Sequence, residues 1–334
     1  MLWDFVLILL GFVFLIKGAD LLVRAATSIA KKFGLSELLI GLTIVAVGTS
    51  LPEIFITITS AVDGHSDLII GNAVGSCICN FLFVIGVTSL FRPIKLDKRI
   101  VNRHLPIGII AMILLLFFGN TNQLGDVHVI TRGQGAFLIL CIILYIIYTI
   151  FEEQQLKNKK IDQEIINDVK DKDKYATRTI IIYMILGILG LKFGSDFVVD
   201  HSLEIARTFG LSEQFLGMTI IAVGTALPEI ITGIIAARKN ETDLLIGNIS
   251  GSNILNLCLL IGLGAMIQPL TFSTEFNSSI LILIATTVFL QLVATMSEKN
   301  ELDKKEESCS LWSISFISLV SPNLSFKPLK SRDY

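Results

Sequence analysis

The chain has 334 residues, 52% of them hydrophobic and only 17% charged, with a formal net charge of −2. Together with a mean hydropathy of +0.72, this excludes an ordinary soluble domain and reads as an all-α polytopic membrane protein. The charges gather between apolar runs and form no basic stripe, so nucleic acid is excluded as a partner.

In chain order, the first apolar run predicts a helix near residues 2–26. Asp4 stands where a signal peptide would carry basic residues, so this run reads as a retained membrane helix. Further runs of about 20 residues predict helices near 37–62, 67–91, 105–118 and 129–151. Residues 152–177 are dense in Lys, Asp, Glu and Asn and read as a solvated linker with some helix. Helices are then expected near 178–199, 213–237, 243–267 and 277–296. The last segment has only a short apolar run near 311–320, with Pro322 and Pro328 after it, which is marginal for a span. The expected organisation is a first five-helix repeat over 1–151, a charged linker over 152–177, and a second repeat over 178–334 with an atypical last helix.

The repeat is explicit in the sequence. GLTIVAVGTSLPE, followed by IIGNAVGSCICN, recurs as GMTIIAVGTALPE followed by LIGNISGSNILN, and Glu229 follows Glu53 by 176 residues. Five helices per repeat would place the second copy upside down. Loop charges agree: Val62 and Asp63 match Arg238 and Lys239, while Arg92, Lys95, Lys98 and Arg99 match Gln268, Thr271, Thr274 and Glu275. By the positive-inside rule the linker is cytoplasmic and the N-terminus outside, the signature of an inverted-repeat transporter in the cell membrane.

Glu53 and Glu229 lie in apolar helices, where an ionisable group costs about 2.5–3.5 kcal/mol or more unless it faces a partner or a polar cavity. Thr49 and Ala46 precede Glu53 by four and seven residues, and Thr225 and Ala222 precede Glu229 likewise, so each set shares one helical stripe. Pro52 and Pro228 supply no N–H, which removes the helical partners of the Gly48 and Gly224 carbonyls. Ser76 with Asn80, and Ser252 with Asn256, stand four apart on the next helix of each half. Taken alone, they fit ion ligation and interhelical hydrogen bonding equally well. Gly71, Gly75, Gly247 and Gly251 read as close-packing faces, Asn72 and Asn248 as packing amides, and Asp67 and Asp243 as N-caps. The five cysteines, an odd count without finger spacing, read as small buried hydrophobes. The four histidines do not cluster in the sequence. Two carboxylates, hydroxyls, amides and carbonyls, without thiolate or imidazole, suit a hard cation; Ca²⁺ is favoured, and Na⁺ can use the same oxygens.

At these motifs the chain resembles the cation/calcium exchanger superfamily, specifically the prokaryotic-type sodium/calcium exchangers. The resemblance runs from the first helix to about Met296. It implies ten helices, sliding first and sixth helices, and exchange of Na⁺ for Ca²⁺ by alternating access. It implies a ligand set of Glu53, Glu229, Thr49, Ser50, Thr225, Ser76 and Ser252, with Ala46 and Ala222 through their carbonyls and Asn80 and Asn256 as amide neighbours. The partners expected are Ca²⁺, Na⁺ and the bilayer; the ions are substrates, no cofactor is expected, and the chain is expected to be a monomer. Three positions depart from the family pattern: Ala226 in place of Ser, Cys77 in place of Asn, and Asn256 where potassium-dependent members have Asp. A proton-coupled cation exchanger of the same superfamily and a passive channel stay as alternatives. An enzyme is not expected, since no HExxH and no nucleophile–base pair is present.

Overall fold

The computed structural model describes residues 2–91, 94–95, 97–124, 127–161, 176–209, 222–296 and 301–302. Among them, seven helices are long and apolar enough to cross a membrane, or eight if one bent pair counts as a span. Helix α1 covers Leu2–Phe33, with Asp4 in its first turn and Lys31 and Lys32 in its last, charges that complement the helix dipole. The bent pair is α2 (Glu37–Thr49) and α3 (Leu51–Val62), inclined at 48°. Ser36 caps α2 by accepting the Leu39 N–H at 3.2 Å, and Pro52 in the first turn of α3 accounts for the break.

Then follow α4 (Ser66–Thr88) and α5 (Ile100–Thr121), α6 (Arg132–Ile161) and α7 (Thr177–Thr208). The short α8 (Ala222–Thr225), α9 (Leu227–Arg238), α10 (Thr242–Ile267) and α11 (Phe276–Met296) complete the helices. The first part of the helix expected from residue 213, and the marginal segment near 311–320, lie outside the described residues.

Four expectations are corrected. Val129 and Ile130 do not begin a helix: they belong to strand β3 (Val127–Ile130), which pairs antiparallel with β2 (Gln123–Leu124) and with β4 (Leu270–Phe272). β-branched residues here satisfy their backbone groups by tying one half of the chain to the other. A further two-residue ladder joins β1 (Ile94–Lys95) to β5 (Glu301–Leu302). Second, α5 begins at Ile100, ahead of the apolar run. Third, α6 continues to Ile161, and Glu152 and Glu153 are buried, so the solvated linker does not begin at 152. Fourth, Asp67 and Asp243 are not N-caps; each is the second residue of its helix, where its charge still favours the N-terminal end.

The two halves meet in reciprocal contacts. A Cβ on Gly11 would lie 2.8 Å from the Gly194 carbonyl, and one on Gly18 2.8 Å from the Gly187 carbonyl. Gly11 and Gly187 are repeat equivalents, as are Gly18 and Gly194. Helices α1 and α7 therefore run antiparallel with equivalent residues exchanging contacts. Helix α10 is the central element, buried at every residue from Leu244 to Leu255. It presses on α2 backbone to backbone: a Cβ on Gly247 would fall 2.6 Å from the Leu38 carbonyl, and one on Gly251 2.5 Å from that of Leu42. Gly75 meets nothing within 4 Å and Gly71 only the Phe276 ring; the matching stretch around Gly217 lies outside the described residues.

Candidate functional site

The break between α2 and α3 puts Glu53 in the first turn of α3, and the break between α8 and α9 does the same for Glu229. Both carboxylates are thus held near helix N-termini, whose exposed N–H dipoles favour an anion. Both are fully buried: Glu53 is 0% exposed and Glu229 1%.

The two halves interlock around them. Ser50 Oγ donates to Glu229 Oε1 at 3.4 Å, which links the Glu53 stretch to the opposite carboxylate. Thr49 Oγ1 donates to Asn248 Oδ1 at 3.1 Å and lies 3.5 Å from Ser252 Oγ. Asn80 Nδ2 donates to Asn253 Oδ1 at 3.0 Å, and the Cys77 thiol reaches the Asn253 carbonyl at 3.6 Å. Ser76, Thr225 and Asn256 are buried with them.

The central feature is a group of buried acceptor oxygens without donors, beside the equally unpartnered amide nitrogens of Asn248, Asn253 and Asn256. Among the described residues, no donor from another residue reaches Glu53 Oε1 or Oε2, Glu229 Oε2, Asn80 Oδ1 or Asn256 Oδ1. Five buried acceptor oxygens from both halves would each cost about 1–3 kcal/mol or more, the carboxylates most, unless something positive meets them. Among the described residues, no Lys, Arg or His pairs with these atoms. A dehydrated hard cation is the partner that this donor set fits.

The remaining expected ligands divide. The Ala46 carbonyl accepts the Ser50 N–H at 3.1 Å and the Thr49 hydroxyl at 3.3 Å. Ala222 opens α8, but its side chain lies outside the description. The Gly224 carbonyl, expected to be freed by Pro228, is instead met by Ser195 Oγ of α7 at 2.8 Å. The repeat equivalent of Ser195 is Ala19, so the Gly48 carbonyl has no such hydroxyl from α1.

Three features were not read as functional from sequence. Asn248, taken as packing, accepts from Thr49. Asn253 holds Asn80, whereas its equivalent Cys77 cannot hold Asn256, both of whose amide atoms stay without a partner. Thr57 and Thr232 are buried with hydroxyls that have no partner; they follow the glutamates by four and three residues, a helical spacing that could have flagged them.

Glu152 and Glu153 brace the helix ends. Glu153 accepts the Ser36 N–H and the Ser36 hydroxyl, both at 2.7 Å, from its two oxygens. Glu152 is paired with Arg103 and lies 3.4 Å from His104 Nε2. His104 Nδ1 is 3.1 Å from the Tyr145 hydroxyl, so this histidine is a buried structural residue. Burial alone would raise the nearby Asp97 carboxyl. The Arg99 guanidinium and backbone N–H donate to it at 2.8 and 2.7 Å and hold it below the ordinary carboxylate range.

The comparisons with known proteins point the same way. CaxA of Alkalimonas amylolytica is 34% identical over 309 residues, covering 92% of this chain and 94% of that one. The sodium/calcium exchanger MaX1 of Methanosarcina acetivorans is 29% identical over 323 residues, covering 86% and 90%. The solved sodium-calcium exchanger NCX_Mj, soaked with 2.5 mM Na⁺ and 0.1 mM Ca²⁺, superposes with a TM-score of 0.79 at 26% identity, covering 97% of this chain and 100% of that one. The family model described as sodium/calcium exchanger protein matches residues 3–152 and 179–319, and the chain therefore belongs to the sodium/calcium exchanger family, within the cation/calcium exchanger superfamily.

Proposed function

We propose that the protein is a secondary antiporter that exchanges Na⁺ for Ca²⁺ across the cell membrane by alternating access. The observation that carries this reading is the set of five buried acceptor oxygens, drawn from both halves and lacking donors. Glu53 and Glu229 supply charge enough for one Ca²⁺ or two Na⁺, so the two ions compete for the same place. The hydroxyls of Thr49, Ser50, Thr225, Ser76 and Ser252, the carbonyls of Ala46 and Ala222, and the amides of Asn80 and Asn256 complete the ligand set. Neutralising the carboxylates lowers the cost of moving the site past apolar surroundings, which couples the two ions without an open channel.

The architecture proposed with it is ten helices in two inverted repeats, with the N-terminus outside and the linker in the cytoplasm. Support comes from the exchange of contacts between α1 and α7 at equivalent glycines and from the reversal of loop charge between the halves. Helices α1 and α7 are the sliding pair.

Calcium uptake into proteoliposomes of the purified full chain tests this, with an outward Na⁺ gradient set beside matched K⁺ and pH gradients. Uptake that requires Na⁺ supports the reading. Uptake driven by the pH gradient alone would replace it with proton coupling.

A further inference from the structure

The two halves differ where the sliding helices meet the ends of the broken ones. Lys239, directly after α9, reaches α1: its Nζ lies 2.6 Å from Asp20 Oδ1 and donates to the Asp20 carbonyl at 3.2 Å. Arg24 Nε adds a 2.9 Å contact to Asp20 Oδ2. Helix α1 packs along α9, and among the described residues α7 makes no comparable run of contact along α3.

The repeat supplies the comparison. The equivalents of Asp20, Arg24 and Lys239 are Asp196, Asp200 and Asp63. One trio is an acid between two bases, and the other is three acids. Asp196 turns along its own helix to Lys192 at 2.6 Å. If alternating access exchanges the roles of the halves, the second closure brings Asp196 and Asp200 toward Asp63, where like charges oppose one another.

We propose that Asp20, Arg24 and Lys239 form a one-sided lock, which holds α1 on α9 and biases the empty carrier toward the state closed on the linker side. The inference rests on the alternating-access reading and goes beyond it. Lys239 is the positioning residue, because its contacts to Asp20 run from the end of α9 to α1. None of the three belongs to the proposed ligand set, so the lock sets how often each face is open and not what the site binds. It follows that the lock acts on the empty carrier whatever the ion, and that its missing counterpart can be built: Asp63→Lys would offer Asp196 and Asp200 the cation that Lys239 gives Asp20.

The test is a distance measurement between spin labels at Val62→Cys and Thr208→Cys, at the far ends of α3 and α7. It uses the full chain in lipid nanodiscs without Na⁺ or Ca²⁺, with Cys77, Cys79, Cys141, Cys258 and Cys309 replaced. Lys239→Gln should lower the ratio of long to short distances about threefold, within the range of a half-exposed ion pair. Asp63→Lys should shift it in the same direction, and the Asp20→Lys/Lys239→Asp exchange should restore it. Asp63 lies in an exposed turn, so this second variant keeps the test open if Lys239→Gln folds poorly. An unchanged ratio in Lys239→Gln or Asp63→Lys, or failure of the exchanged pair to restore it, would overturn the lock. Sodium-driven uptake with an unshifted ratio refutes the lock alone; a shifted ratio without uptake refutes the exchanger reading alone.

Discussion

At the scale of single residues, the site is governed by which buried oxygens have donors. Glu229 has the Ser50 hydroxyl at one oxygen; the equivalent of Ser50 beside Glu53 is Ala226, which is buried and has no hydroxyl. Glu53 is therefore the carboxylate that depends most on a cation. Glu53→Gln should weaken Ca²⁺ binding by more than about 100-fold, the upper end of what loss of a residue that only orients a metal ligand costs, while the protein stays folded. Equilibrium binding of radioactive calcium, with a melting curve as the control for folding, checks this. Ala226→Ser restores the missing oxygen and should raise Na⁺ affinity several-fold, read as the Na⁺ concentration that displaces half the bound calcium. An unchanged midpoint would show that this position does not line the site.

Much of this was legible in the sequence, because an acid in an apolar run is conspicuous and its repetition more so. The partners were not legible. That Thr49 would meet Asn248, and that Asn253 would hold Asn80 while Cys77 leaves Asn256 unheld, depends on how α10 crosses the opposite half. Helical spacing cannot show that. Proline predicted a carbonyl without its helical N–H, but not that Ser195 would fill the gap at Gly224.

At the scale of elements, two contacts hold the ligand helices in register. Helix α10 approaches α2 so closely that a methyl group at Gly247 would collide with the Leu38 carbonyl. Because the obstacle is backbone, Gly247→Ala should destabilise by about 1–3 kcal/mol, seen as a lower melting temperature with correspondingly weaker calcium binding. The second contact is Glu153, which takes both donors of Ser36 at the start of α2. Glu153→Ala removes two charge-assisted bonds and should cost about 1.5–3 kcal/mol. Glu153→Gln, which can still accept one of them, should recover part of the loss.

Asp97 adds a dependence on pH at the same edge. Its carboxyl is held below the ordinary range in the folded chain, so its contribution is present above the unfolded value of about 3.9 and disappears as pH falls through the lower folded value. Asp97→Asn should flatten the acid limb of the melting temperature against pH and leave neutral stability lower. The element boundaries were the least legible part of the sequence. Composition placed Glu152 and Glu153 in a solvated linker because charged residues follow them, whereas Arg99, Arg103 and Ser36 bring them indoors. The strand at Val127–Ile130 escaped notice because Val129 and Ile130, two of its three β-branched residues, adjoin a longer apolar run and read as its beginning.

At the scale of the whole molecule, one chain carries two copies of a broken helix followed by a buried helix, packed directly on each other where α10 meets α2, with the antiparallel pair α1 and α7 beside them. The proposed inversion rests on the reversal of loop charge between equivalent positions. The same reversal separates Lys239 from Asp63, so in the proposed exchanger the charge that sets orientation by the positive-inside rule also sits where it biases the two states. Repetition accounts for the paired site, and the departures from it, at Ala226, Cys77, Ser195 and Lys239, account for its asymmetry.

The central claim is that the oxygens of both halves form one site that calcium and sodium share. The most direct measurement is equilibrium binding of radioactive calcium to the purified full chain, titrated with NaCl against choline chloride at equal ionic strength, for the natural protein and for Glu53→Gln and Glu229→Gln. The account predicts that Na⁺ displaces calcium while choline does not, and that either substitution weakens binding by more than about 100-fold. Calcium held equally well at high Na⁺, or retained when either glutamate is neutralised, would contradict it.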